Sequence, residues 1–166
     1  MFCMGDRVMY GIHGVCRIIG TEIQMQGKNR ITYLILEPLE QAGSRYLVPT
    51  DSKVAMEKLK RMLSRVELDA LMQSESVRQD CWIPDEGQRK QIYRERITAG
   101  DREQLISIIY TLYRHKVEQT AAGRKMHMCD ENFLKDAERV LVSEIAAVME
   151  METDTARAYL RRVLSE

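Results

Sequence analysis

Asp80–Asp101, DCWIPDEGQRKQIYRERITAGD, divides the chain. It carries the only tryptophan of the 166 residues, one of three prolines, and the start of the first strongly helical, arginine-rich run. Before Trp82 the pattern is short apolar runs broken by turn residues, and after it helical periodicity continues to the C-terminus. An indole at such a junction either plugs the gap between two domains or is presented to a partner. Arg89, Lys90, Arg94 and Arg96 follow within a few turns, and polyanions bind where cations cluster. Aromatic plus basic is a hint of nucleic acid.

Working back from this stretch, the N-terminal part reads as strands. Gly5-Asp6 opens one at Arg7 to Tyr10, and the Gly11 to Gly14 segment bends sharply into the next. Val15 to Met25 is rich in Val and Ile, Gly27-Lys28-Asn29 is a turn signal, and Arg30 to Glu37 (RITYLILE) answers as the partner of a hairpin. After a turn at Gln41 to Ser44, Arg45 to Val48 forms a fourth strand ended by Pro49. A fifth around Leu59 to Leu63 would close a small antiparallel barrel of SH3-like or Tudor-like type. Ser64 and Glu67 then form a capping box for a helix from Arg65 to about Ser74, burying Val66, Leu68, Leu71 and Met72. The polar stretch Gln73 to Asp80 reads as a linker, which sets a domain boundary near residue 75.

Working forward, Pro84 suits the first turn of a helix with Arg89, Tyr93 and Arg96 on one side and Ile92 and Ile97 on another. Gly100 suits a left-handed C-cap, and Asp101 can cap the next helix with Gln104 three residues on. That helix runs to about Gln119 with Leu105, Ile108, Ile109, Leu112 and Tyr113 at core spacing. A loop at Ala121 to Met128 precedes a long helix over Asp130 to Met149, inward-facing through Phe133, Leu134, Ala137, Val140, Leu141, Ile145 and Val148. A last helix covers Asp154 to Leu164. The fold class expected is α+β in two domains: the barrel over 1–75 and an all-α helical bundle over 76–166.

Charge balances at 25 Lys+Arg against 25 Asp+Glu, yet its distribution is uneven. Arg89 to Lys125 holds nine Lys/Arg against four Asp/Glu, and Met126 to Glu166 five against nine. Such polarity either turns a positive face toward a polyanion or reflects solvated helix faces with ion pairs. No apolar run reaches the roughly 18 to 20 residues of a membrane span, and MFCMGDRV lacks a signal-type core, so a cytoplasmic location is expected. Cys3, Cys16, Cys81 and Cys129 show no paired spacing, which predicts free, mostly buried thiols rather than a disulfide or zinc framework. His13, His115 and His127 are scattered. No phosphate-binding loop, nucleophile elbow or distinctive carboxylate pair is present, so neither catalysis, a cofactor, a metal nor a small-molecule substrate is expected.

The ordered motifs resemble the CarD family of bacterial RNA polymerase-binding transcription regulators over essentially the full length. They are GDRVMYGIHGVCRI at Gly5 to Ile18, YLILE at Tyr33 to Glu37, YLVP at Tyr46 to Pro49, the Trp82 junction, AGD at Ala99 to Asp101 and AERVLVSEIAAV at Ala137 to Val148. The first half is also similar to the polymerase-interacting module of transcription-repair coupling factors, and the C-terminal helices favour the regulators. The resemblance implies that the N-terminal domain docks on the polymerase β subunit by a strand edge, with Arg45, Tyr46 and Leu47 at the contact. The best-known members carry arginine where this chain has Ile23 and Leu47, which leaves Arg45 as the candidate substitute. The resemblance further implies that the helical domain contacts promoter DNA with little sequence specificity. Trp82 would wedge into the minor groove, and Arg89, Lys90, Arg94 and Arg96 would meet phosphates. The function expected is a non-enzymatic regulator that stabilises or modulates the open promoter complex. The rival reading is a protein-interaction adaptor that never touches DNA.

Overall fold

The computed structural model describes residues 2–165. The chain divides into two compact units, Met1–Met62 and Leu63–Glu166.

The first unit is a five-stranded antiparallel sheet in the order β4-β3-β2-β1-β5. Its strands are β1 (Arg7–Tyr10), β2 (Val15–Gln26), β3 (Asn29–Pro38), β4 (Tyr46–Pro49) and β5 (Leu59–Arg61). The hairpin forms where the sequence places it, with Gln26 opposite Asn29 and Gly27-Lys28 as a two-residue turn. Gly27 sits at φ 64°, the left-handed region that such a turn demands of its first central residue. Register slips between Ile18 and Gly20, a bulge in the first half of β2.

The expected barrel is corrected here: the sheet is open, with β4 and β5 at its two ends. The chain between them forms a short helix, α1 (Lys53–Glu57), which Ser52 caps by accepting from the Ala55 N–H. This helix packs against both β4 and β5. Ala55 and Met56 lie on a core of Val8, Cys16, Ile18, Leu36, Val48 and Leu59. Side chains from α1 therefore seal the core where a barrel would continue its hydrogen-bond ladder.

The second unit is helical: α2 (Arg65–Gln73), α3 (Glu86–Ala99), α4 (Arg102–Ala121), α5 (Met128–Met149) and α6 (Thr153–Ser165). The Ser64/Glu67 capping box is complete, with both reciprocal bonds formed. Of the four residues expected to be buried on α2, Leu68 and Met72 are; Leu71 is half-buried and Val66 points to solvent. That face packs against α5 and α6, and the Tyr159 hydroxyl donates to Asp69 from α6. The helix α2 thus belongs to the helical unit, whereas the sequence reading grouped it with the strands.

Residues 73–80, read as a linker, are instead tied down. Val77 is buried in a 3-10 turn, its carbonyl accepts from Ser107 of α4, and Arg78 donates to the carbonyls of Met72 and Val163. Asp85 caps α3 with Pro84 just outside it, Gly100 ends it at φ 71°, and Asp101 caps α4 through the Gln104 N–H.

Helix α5 is the centre of this unit, packing against α2, α3, α4 and α6. Along with its apolar stripe it buries Asp130, Glu138 and Glu144, and each carboxylate meets arginine from a neighbour. Asp130 pairs with Arg89 of α3, Glu144 with Arg102 of α4, and Glu138 with Arg157 and Arg161 of α6. Part of the charge polarity in the sequence is therefore internal pairing between helices. Among the thiols only Cys16 is fully buried; Cys81 and Cys129 are partly so and Cys3 is exposed.

Candidate functional site

Trp82 lies in the irregular segment between the turn at Glu75–Val77 and α3. The backbone there cannot satisfy itself, so neighbouring side chains do so. The Trp82 N–H donates to the Asp80 carboxylate at 2.8 Å, and the Cys81 N–H to the Thr111 hydroxyl of α4 at 2.9 Å. The Cys81 carbonyl accepts from the Tyr93 hydroxyl of α3 at 2.9 Å. Burial, reinforced by Cys81, pushes the Tyr93 hydroxyl far above the ordinary phenol range, so it remains a donor at any physiological pH.

The indole itself is half-buried. The His115 ring of α4 stacks on it at 3.8 Å between centroids and 19° between planes. The guanidinium carbon of Arg89 lies 4.2 Å from the indole centroid, a cation–π contact. Both partners belong to the helical unit, so the ring is held by its own unit's helices. With it, Asp80, Thr111, Arg114, His115, Glu118 and Gln119 line a pocket.

The four cations singled out in the sequence do not act as one group. Arg89 is 3% exposed, and each of its guanidinium nitrogens donates within the unit. Its Nε and Nη2 donate to the two oxygens of Asp130 at 2.8 and 3.0 Å, while Nη1 donates to the Ile83 carbonyl at 3.0 Å. The next residue, Lys90, stands on the outer side of α3, with a side chain 44% exposed and an ion pair to Glu86 at 3.2 Å. Arg94, one turn on, is exposed as well, and Arg96 is half-buried in the last turn. A helix rotates 100° per residue, so consecutive Arg89 and Lys90 face different surroundings. Lys90 and Arg94, four apart, share a face.

Sequence reasoning missed His115 and Arg114. Thr111, Arg114, His115 and Glu118 occur at i, i+3, i+4 and i+7 on α4. That polar stripe is the signal for a helix face turned toward something other than core.

In the first unit, β4 pairs with β3 on one side only and forms an end of the sheet. Arg45 and Leu47 are exposed, and Tyr46 is half-buried. The Tyr46 ring packs on His13 at 4.3 Å and on Tyr10 at 5.7 Å, so these rings brace the start of the edge strand. Ile23 and Met25, on one face of the hairpin, are also exposed. Among the described residues no helix is long and apolar enough to cross a membrane, and no group of His, Cys, Asp and Glu could hold a metal ion.

An edge strand in one unit and a braced indole in the other coincide with two family domains. The model of the CarD-like/TRCF RID domain matches residues 2–60, and that of the CarD C-terminal domain matches residues 68–161. The chain belongs to the CarD family. CarD-family domains are those of non-catalytic transcription regulators that interact with RNA polymerase. No individual curated protein matches the chain. Within this CarD-family chain the first matched domain ends at β5, and the second spans α2 to α6 with Trp82 inside it.

Proposed function

We propose that this regulator binds the β subunit of RNA polymerase through its first unit and contacts promoter DNA through its second, stabilising the open complex. For the β subunit, the support is the open edge of β4. Its main chain can extend a partner's sheet, while Arg45 and Leu47 beside it provide a charged and an apolar contact for selectivity.

For DNA, the observation that carries the reading is Trp82. The only indole of the chain is half-exposed and braced in an irregular segment by His115 and Arg89, on a unit whose α3 also displays Lys90 and Arg94. A flat apolar ring beside exposed cations fits a minor-groove wedge flanked by phosphate contacts. Inserted next to an unstacked base step, it favours melted over closed DNA by its difference in affinity for the two. Arg94 and Lys90 then act on phosphates without reading sequence.

The test is hydroxyl-radical footprinting of a polymerase–promoter complex with and without the chain. Added protection at the upstream edge of the melted region is the expected result. An unchanged footprint at saturating protein, with polymerase still bound, refutes DNA contact and favours the adaptor reading.

A further inference from the structure

Arg89 makes three kinds of contact at once: to the Trp82 ring, to the main chain just beyond it, and to Asp130. Its guanidinium carbon lies over the indole, 4.2 Å from the centroid. Its Nη1 donates to the carbonyls of Ile83 and Pro84, at 3.0 and 3.5 Å, the two residues that follow the tryptophan. Its Nε and Nη2 are clamped by both oxygens of Asp130, a carboxylate with no solvent exposure on α5. A planar fork is the side chain that can hold a carboxylate bidentately, bond a carbonyl and stack on a ring together. Asp130 fixes the fork, and the fork fixes both the ring and the main chain just beyond it.

We propose that Arg89 and Asp130 are a positioning pair: they set the orientation of the Trp82 indole, and their effect on promoter DNA passes through that ring, not through a phosphate contact by Arg89. This rests on Trp82 being the DNA-contacting group. The side chain is 3% exposed, and its Nε, Nη1 and Nη2 already donate within the unit, so it is not placed to reach a phosphate. A ring ordered before it meets DNA loses less rotational freedom on insertion. For one immobilised side chain that is worth about a 2- to 10-fold difference in equilibrium.

Two variants of the full chain separate holding from folding. Arg89→Lys keeps a cation beside Asp130 but cannot stack as a plane or serve both acceptors. The double variant Arg89→Met with Asp130→Leu replaces the ion pair with apolar groups, a change often neutral or stabilising for a buried pair. Because Trp82 is the sole tryptophan, its emission and time-resolved anisotropy report the ring directly.

In variants that retain the wild-type far-UV spectrum, the proposal expects red-shifted emission and faster local rotation of the indole. Open-complex lifetime in their presence should shorten about 2- to 10-fold, with no further shortening when Trp82→Ala is added. The salt dependence of DNA binding should keep its slope. Wild-type anisotropy in a folded variant overturns the proposal, as does shortening that adds to that of Trp82→Ala, or a slope lower by nearly one unit, the mark of a lost phosphate contact. If Trp82→Ala alone leaves the lifetime unchanged, the proposed role of Trp82 on DNA fails and takes the promoter half of this proposal with it. The anisotropy then still decides whether Arg89 holds the ring.

Discussion

Replacing Glu144 with alanine probes the framework that carries the site. Its carboxylate on α5 has no solvent exposure and accepts from Arg102 Nε and Nη2 at 2.6 and 2.7 Å and from the Leu63 N–H at 3.4 Å. One side chain thereby ties the first turn of α4 and the chain entering α2 to the central helix. Breaking a buried pair by removing one partner costs about 3 to 5 kcal/mol, because the other charge is left without compensation. The Arg102 side chain is 15% exposed, so water relieves some of that, which places the pair at the lower end of the range, about 3 kcal/mol. The Leu63 contact is long and adds less than about 1 kcal/mol. For a unit of about 100 residues, 3 kcal/mol lowers Tm by roughly 12 to 24 °C. Urea titration followed by Trp82 emission reads this unit alone, since the first unit contains no tryptophan. A loss under about 1 kcal/mol would refute the reasoning, as would a double-mutant cycle with Arg102→Met in which the two effects simply add.

Two further outcomes test the contact surfaces. Arg45→Glu on the edge strand should weaken binding to the isolated polymerase β subunit by about 1 to 3 kcal/mol in calorimetry, and unchanged affinity would move the interface off β4. Lys90→Gln with Arg94→Gln should lower the slope of log affinity for DNA against log salt by nearly two units, one for each lost phosphate; a wild-type slope would make this face of α3 mere solvated surface.

The fold was legible where local chemistry decides it. The two-residue turn at Gly27-Lys28, the capping box of Ser64 and Glu67, and the stop at Gly100 with restart at Asp101 each depend on a few adjacent residues, and each stands where the sequence put it. Sheet closure was not legible, because it depends on whether the chain between β4 and β5 extends or coils. Ser52 settles that by capping a helix whose Ala55 and Met56 complete the core. The place of α2 was likewise hidden: nothing adjacent to Leu68 and Met72 says which of two cores they enter.

The site was half legible. Trp82 stood out by composition and context, and Arg94 is exposed on α3 with Lys90 half-buried on the same face. Arg89 looked the same as its neighbours in the sequence. Its partner Asp130 is 41 residues away, so only the packing of α3 on α5 separates a structural arginine from a surface one. His115 showed in the sequence only as part of a polar spacing on α4, and its contact with the indole comes from the approach of α4 to the segment before α3.

The central claim is that Trp82 acts on melted promoter DNA. The most direct measurement is the lifetime of open complexes after a DNA competitor is added, with wild-type chain and with Trp82→Ala. The ring is only half-buried, though His115 and Arg89 both lie against it, so its truncation should cost less than the roughly 3 to 5 kcal/mol of a fully buried tryptophan and leave the fold and polymerase binding intact. The account predicts that the wild-type chain prolongs the lifetime and that the variant, folded and bound to polymerase, does so far less. A folded Trp82→Ala chain that prolongs the lifetime as fully as wild type would contradict it.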